Sequence, residues 1–162
     1  MGSKIKMAVF YTLAAIIIFA GQFLITDNQL EGKPPCFTQQ TIAGKNAMQM
    51  VAKGPAIIYF WAEWCGICEM MQSAVSGVLT EYPGITIAIK SGGVEQVKQH
   101  MQQQQLNWPV VNDPNGDIAR QYGVKAVPRL IILNQNGDVA LTASGYTSEL
   151  GIKIRIWLLG VF

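Results

Sequence analysis

The stretch FWAEWCGICEMM, residues 60–71, decides the fold of this chain. It holds Cys65 and Cys68, which follow a continuous apolar run at residues 55–62. That run is rich in branched and aromatic side chains and predicts a strand that is buried on both faces. Apolar residues at helical spacing follow over residues 68–82, so the cysteine pair lies where a strand ends and a helix begins.

The start of a helix is a chemically distinctive place for a cysteine. Its first N–H groups have no partner, and the positive end of the helix dipole lies there. A thiolate is stabilised in such a position, where cysteine pKa values fall to about 3.5–7.5. Cys65 is therefore the predicted attacking nucleophile, and Cys68, one turn later, is the predicted resolving cysteine of a mixed disulfide.

Structural zinc, a structural disulfide and copper(I) binding are the alternatives to a redox role for this cysteine pair. Structural zinc takes about four ligands, but the only histidine is His100 and no second Cys-x-x-Cys motif exists, so no metal ligand is predicted. A purely structural disulfide would close too short a loop to stabilise the fold much. Copper(I) stays open, because two thiolates can hold it, alone or with the sulfur of Met70 or Met71.

The rest of the chain alternates between predicted strands and helices. Strand patterns cover residues 55–62, 85–89, 109–111, 129–133 and 138–144. Helical patterns cover residues 68–82, 94–104, 117–123 and a tail that begins at Ser148. The run at 109–111 is short and fits an edge strand. This order argues for a mixed sheet that is covered by helices.

Length and composition indicate one domain with a short appendage. The chain has 162 residues, of which half are hydrophobic and 14% are charged. Its net charge of +2 and the lack of a lysine- or arginine-rich run exclude a nucleic-acid partner. Three cysteines are too few for a disulfide scaffold, and Cys36 has no intramolecular partner if the other two pair.

The amino terminus predicts a membrane anchor. Lys4 and Lys6 precede residues 7–25, a run without charge that approaches the roughly 20 residues of a membrane-spanning helix. It is longer than the apolar region of a signal peptide and has no good cleavage site. The two lysines should stay in the cytoplasm, which puts the remainder outside, where disulfides form. The predicted organisation is a stub and anchor at 1–25, a linker at 26–35 and a folded domain at 36–162.

Two stretches together resemble a known fold family. FWAEWCGIC, residues 60–68, followed by GVKAVPRLIIL, residues 123–133, is similar to thioredoxin-fold proteins. The resemblance implies that Pro128 is a cis proline facing the cysteines, and that with Val127 it positions the substrate backbone. It also implies motif-flanking roles for four neighbours of the cysteines, which are Trp61, Trp64, Gly66 and Ile67. The Gly66-Ile67 dipeptide helps to set the reduction potential in this family.

Two further stretches resemble a narrower group. PPCFTQQTIAGK, residues 34–45, and LNWPVVNDPNGDIARQYGVKAVP, residues 106–128, are similar to TlpA-like membrane-anchored thiol:disulfide oxidoreductases. With the short anchor, the chain looks most like the suppressor-of-copper-sensitivity D proteins. The implied fold is α/β, a thioredoxin-like mixed sheet flanked by helices, with an N-terminal transmembrane helix.

That resemblance also implies a function and a location. The expected protein is a single-pass protein of a bacterial inner membrane, held there through residues 7–25, with its catalytic domain in the periplasm. It would act on disulfides or thiols of protein or peptide substrates, and the direction of electron flow stays open. A reducing role, the favoured one, implies a DsbD-type transmembrane electron donor. Its cycle would need no cofactor beyond the redox-active disulfide Cys65–Cys68. The alternative is a copper(I)-binding or copper-delivery module on the same fold.

Two positions depart from the family pattern. Tyr59 and Met71 stand where thioredoxins and TlpA-like proteins, respectively, carry an acid that helps to deprotonate the resolving cysteine. The nearest carboxylates in the sequence are Glu63 and Glu69. The proton of the resolving step is therefore expected to pass through water or the partner protein.

Overall fold

The computed structural model of the protein describes Met7, Phe10, Tyr11, Leu13, Leu30 and residues 32–161. Apart from the first four of these, the predicted membrane anchor at residues 7–25 lies outside the described residues, as does half of the predicted linker at 26–35. Within the described residues, no helix is both long enough and apolar enough to cross a membrane.

One mixed sheet of five strands forms the centre of the fold. The strands are β1 Ala56–Trp61, β2 Gly84–Ile89, β3 Val110–Asp113, β4 Arg129–Leu133 and β5 Val139–Ser144. Their order across the sheet is β3-β2-β1-β4-β5. The central strand β1 is parallel to β2 and antiparallel to β4. The predicted mixed sheet is confirmed, and the short run at 109–111 is part of an edge strand as expected.

Helices cover both faces of this sheet. They are α1 Ala47–Met50, α2 Gly66–Met70, α3 Gln72–Glu81, α4 Val94–Gln103, α5 Asp117–Gln121 and α6 Glu149–Val161. Alternate side chains of β1 enter two separate cores, with Tyr59 in one and Phe60 in the other. The first core also takes residues from α2, α3, α4 and α6, and the second takes residues from α1 and α5. The prediction that this strand is buried on both faces is therefore confirmed.

The single helix predicted over residues 68–82 is wrong, because two helices, α2 and α3, meet at Met71. The Met71 N–H bonds back to the Cys68 carbonyl at 3.1 Å, which closes a tight turn. The Met71 carbonyl then accepts from the Val75 N–H at 2.9 Å and starts the next helix. This break turns Met71 fully into the core while Met70 is 67% exposed, so the two methionines do not share one apolar stripe.

The last residues of the predicted linker contact the folded domain. The Val139 N–H donates to the Gly32 carbonyl at 2.8 Å, which adds an isolated bridge beside β5. The Tyr122 hydroxyl donates to the Pro35 carbonyl at 2.8 Å. These contacts fix residues 32–35 against the domain. The predicted boundaries at 1–25, 26–35 and 36–162 stay predictions.

The carboxylate of Asp113 joins the edge strand β3 to helix α5. It is buried, and it accepts hydrogen bonds from the N–H groups of Asp117 at 2.8 Å, Ile118 at 3.2 Å and Ala119 at 2.9 Å. The first N–H groups of a helix have no partner inside the helix, so one carboxylate satisfies three donors that would otherwise be unpaired. This contact fixes α5 at the carboxyl end of β3.

Replacing Asp113 with alanine should therefore lower the free energy of unfolding by about 2–4 kcal/mol, because buried N–H groups lose their acceptor. The matched control is Asp117→Ala, which removes an exposed carboxylate paired with Arg120 and should cost less than about 1 kcal/mol. Chemical denaturation followed by tryptophan fluorescence measures both. Equal losses in the two variants would contradict the capping role of Asp113.

Candidate active site

The cysteine pair lies at the first turn of α2, directly after the central strand. Cys65 is the residue that caps the helix, and its Sγ accepts a hydrogen bond from the Cys68 N–H at 3.2 Å. The two cysteines form a disulfide with their Cα atoms 5.2 Å apart. Cys65 is 8% exposed and Cys68 is 3% exposed, so Cys65 is the more accessible of the two. The helix dipole and the free N–H groups at this end favour negative charge on the Cys65 sulfur.

The end of β2 holds the loop that leads into the cysteines. The Glu63 N–H donates to the Ser91 hydroxyl at 3.0 Å, and that hydroxyl donates to the Ile89 carbonyl at 3.1 Å. Ser91 is completely buried. No sequence motif marks Ser91, but parallel strands such as β1 and β2 end at the same edge of a sheet, so residues after β2 lie beside residues after β1. That rule is the signal by which Ser91 could have been found.

The predicted substrate-positioning residues lie beside the disulfide. The peptide bond between Val127 and Pro128 is cis, and the Val127 carbonyl oxygen is 3.8 Å from Cys65 Sγ. Val127 is half-buried, and Pro128 is buried just before β4 begins. In the described part of the chain no backbone acceptor takes the Val127 N–H. The Val127 N–H is thus without a described backbone partner close to Cys65 Sγ.

The two tryptophans of the motif have different surroundings. Trp64 is 63% exposed, and its indole N–H donates to the Lys90 carbonyl at 3.1 Å. Trp61 is buried, and its ring packs edge-on against Trp108 with centroids 5.6 Å apart. It also packs against the His100 ring at 5.5 Å. Trp64 therefore flanks the cysteines at the surface, whereas Trp61 belongs to the core beneath them.

The two residues between the cysteines face solvent. Gly66 and Ile67 are the first residues of α2, and Ile67 is 47% exposed. An exposed aliphatic side chain next to Cys65 offers apolar contact to a docking chain. It carries no charge with which to alter the thiolate.

Two positions at which the resemblance implies an acid carry uncharged side chains in this chain. Tyr59 and Met71 are fully buried in the core cluster that also contains Cys65 and Cys68. Burial raises the pKa of Tyr59, so its phenol stays protonated at neutral pH. Its hydroxyl has no hydrogen-bond partner among the described residues. At positions 59 and 71, the core under the disulfide therefore contains a neutral phenol and a thioether and no carboxylate.

The copper(I) alternative remains a prediction. Met71 points into the core and Met70 is exposed, so the two sulfurs do not converge from one surface. Among the residues that the structure describes, no three histidine, cysteine, aspartate or glutamate side chains lie close enough together to hold a metal ion.

Comparisons with known proteins agree with this geometry. A model of the AhpC/TSA family matches residues 31–142. A thioredoxin-like protein of Haemophilus influenzae is 29% identical over 109 residues, which are 67% of this chain and 65% of that relative, so the match spans less than two thirds of the relative's length. The sporulation thiol-disulfide oxidoreductase A of Bacillus subtilis is 21% identical over 90% of this chain and 92% of its own.

A solved structure extends the comparison to the fold. The thiol:disulfide interchange protein of the thioredoxin family from Chlorobium tepidum superposes with a TM-score of 0.65. It is 20% identical, and the match covers 83% of this chain and 99% of that one. At this identity the likeness shows the fold alone. The predicted thioredoxin-like α/β fold, a mixed sheet flanked by helices, is thereby confirmed.

The unpartnered hydroxyl of Tyr59 generates a stability prediction. Replacing Tyr59 with phenylalanine removes a buried polar group without a partner and should raise the free energy of unfolding by about 1 kcal/mol. The matched variant is Tyr122→Phe, which removes a buried hydroxyl that donates to the Pro35 carbonyl. This variant should lower the free energy of unfolding by about 1 kcal/mol. Denaturant unfolding at neutral pH measures both, and a loss of stability in Tyr59→Phe would contradict the prediction.

The same pair of variants should also change the pH dependence of stability. Burial raises the pKa of Tyr59 and Tyr122 above the usual value near 10.0. The unfolded state therefore releases these protons at lower pH than the folded state. The part of the free energy of unfolding that depends on each protonated phenol is fully present below pH ~10 and is lost as the pH rises above it. Each phenylalanine variant should lose less stability than the wild type between neutral pH and pH ~11.

Proposed function

Since the chain belongs to the AhpC/TSA family of thioredoxin-like proteins, we propose that it is a thiol–disulfide oxidoreductase that uses Cys65 and Cys68 on protein or peptide disulfides. The observation that carries this proposal is the disulfide at the first turn of α2, with Cys65 Sγ 3.8 Å from the Val127 carbonyl oxygen. The relative from Bacillus subtilis is named for the same class of reaction, which supports the proposal.

The reductive reaction takes place in two exchange steps. In the reduced protein, the Cys65 thiolate attacks one sulfur of a substrate disulfide, forms a mixed disulfide and releases the other substrate sulfur as a thiolate. The Cys68 thiolate then attacks Cys65 Sγ, which restores the Cys65–Cys68 disulfide and releases the second substrate thiolate. Two electrons pass from the protein dithiol to the substrate, and its two thiolates are protonated. The cysteine pair supplies these electrons, so the cycle uses no further cofactor.

The roles of the two cysteines differ because their environments differ. Cys65 is the more exposed sulfur and caps the helix, so its thiolate forms readily and can reach a substrate. Cys68 is more deeply buried, in the core cluster that also contains the apolar Met71 and the neutral phenol of Tyr59. A thiol in apolar surroundings has a raised pKa, so the proton of Cys68 should leave only when the mixed disulfide has formed. Water or the substrate would then accept that proton.

The backbone beside Cys65 is the proposed docking point for the substrate chain. Val127 offers an N–H that no described backbone group takes, and a carbonyl oxygen next to the reactive sulfur. An extended substrate segment can pair with these groups as a short added strand. Pro128 fixes the backbone direction at this point.

The location and the narrower family are proposals that rest on the sequence. The uncharged run at residues 7–25 supports a single-pass anchor in a bacterial inner membrane, with the catalytic domain in the periplasm. The resemblance to suppressor-of-copper-sensitivity D proteins supports membership of that group. A DsbD-type transmembrane donor would then supply electrons to the oxidised pair.

A reducing role sets an expectation for the reduction potential of the pair. Equilibration of the full-length protein with glutathione or dithiothreitol buffers should give a value near the thioredoxin range of about −270 mV. Alkylation of free thiols followed by mass spectrometry reads the oxidised fraction. A value near about −120 mV, that of a strong oxidant, would instead assign the protein to disulfide formation.

Single cysteine variants test the proposed reaction. Cys65→Ser should abolish reduction of insulin disulfides, because the attacking sulfur is lost. Cys68→Ser should accumulate a mixed disulfide with the substrate through Cys65, because nothing resolves it. Cys36→Ser is the matched control, and since Cys36 is an exposed free cysteine that variant should retain full activity. Retained insulin reduction in Cys65→Ser would refute the proposal.

A further inference from the structure

An open groove of about 240 Å³ lies beside the disulfide, and its chemistry narrows the class of substrate. Trp64 and Val127 line its near side. The Val127 carbonyl oxygen is 3.8 Å from Cys65 Sγ, so this side of the groove lies close to the cysteine pair. Residues that flank a substrate cysteine on one side would therefore lie in this groove while the mixed disulfide exists.

All ionisable side chains that line the groove are basic: Lys90, Arg120 and Lys125. All three are exposed. Arg120 forms an ion pair with Asp117, which offsets one of the three charges. Among the described residues, Lys90 and Lys125 take part in no ion pair, so the groove keeps an excess of positive charge.

Two of these cations converge on the floor of the groove at Gly116. The position that a Cβ atom would occupy on Gly116 lies 3.3 Å from Lys90 Cε and 4.0 Å from Arg120 Nη1. Gly116 has a φ of 73°, a left-handed conformation that glycine adopts without strain. The glycine thus leaves room for the lysine stem and the guanidinium to lie close together, where a single carboxylate could contact both.

The backbone of Lys90 is held in place at the rim of the groove. Lys90 has a φ of 47°, which is uncommon for a residue other than glycine. Its N–H donates to the Asp113 carbonyl at 3.0 Å, and its carbonyl accepts from the Trp64 indole at 3.1 Å. A residue kept in a strained conformation by its neighbours is a reason to look for a function at that position.

We propose that this groove binds an acidic side chain of the substrate, one that lies within a few residues of the reacting substrate cysteine. The carboxylate pairs with Lys90 near Arg120 at Gly116, where Lys125 adds further positive charge to the lining. Its aliphatic stem packs on Trp64 and Val127. Positive charge at the rim also draws acidic substrates towards Cys65 before contact. This inference rests on the proposed function, because it names the substrates that the same site prefers.

The test uses three cyclic disulfide peptides that differ only at one position beside a cysteine, which is glutamate, glutamine or lysine. The reduced full-length protein reacts with each peptide under anaerobic conditions, and acid-quenched samples give the second-order rate constant. The glutamate peptide should react about three- to tenfold faster than the glutamine peptide at low salt, and the lysine peptide should react more slowly than both. The preference should shrink at about 0.5 M salt, where charges are screened.

Charge variants assign the preference to the groove. Lys90→Asn combined with Lys125→Gln should bring the glutamate-to-glutamine ratio close to one, and asparagine suits the left-handed backbone at position 90. Lys125→Glu should favour the lysine peptide instead. The matched control is Lys53→Gln, an exposed lysine before β1 at the opposite end of the strand from the cysteines, and it should keep the wild-type ratio.

The outcomes separate this inference from the proposed function. Exchange with the glutamine peptide at an ordinary rate but no preference for glutamate would overturn the inference and leave the oxidoreductase intact. A preference that persists unchanged in the Lys90→Asn, Lys125→Gln variant would overturn it as well. No exchange with any of the three peptides would overturn the proposed function and the inference together.

Discussion

The hydrogen bond from the Cys68 N–H to Cys65 Sγ is the contact on which the chemistry of this protein depends. It places the Cys65 sulfur at the positive end of a helix, whereas Cys68 is the more deeply buried of the two. The same turn therefore gives the two thiols different environments. The helix end favours the thiolate of Cys65, whereas burial shields Cys68 from solvent. A reaction in which one thiol attacks and the second resolves requires that difference.

The sheet brings the other segments of the candidate site beside the two cysteines. Because β1 is central and parallel to β2, the loop after β2 lies beside the cysteines, and Ser91 holds the approach to them. Because β4 runs antiparallel to β1, its beginning lies at the same edge, which brings Val127 next to Cys65. Three separate segments of the chain thus meet at one edge of the sheet. The arrangement of strands, more than the cysteine motif alone, builds the candidate active site.

The sequence predicts the parts that local patterns encode and misses those that depend on contacts between distant segments. Strand patterns in the sequence predicted all five strands. The cysteine spacing and Pro128 predicted residues that the structure brings close together, with the Val127 carbonyl oxygen 3.8 Å from Cys65 Sγ. The break at Met71 was missed because helical spacing continues across it, and α1 is too short to show any period. The groove combines Trp64, Lys90 and Arg120, which only the folded sheet brings together. A basic residue on a loop has no pattern in the sequence that reveals its neighbours.

The pKa of the Cys65 thiol tests most directly whether its position at the helix end makes it the attacking cysteine. In the reduced full-length protein, the rate of alkylation by iodoacetamide as a function of pH follows the thiolate, and peptide mapping separates Cys65 from the exposed Cys36, an internal reference. We expect the Cys65 thiol to titrate between about 3.5 and 7.5, well below an ordinary cysteine. A Cys65 pKa near about 8.5, with reactivity no greater than that of Cys36, would contradict it.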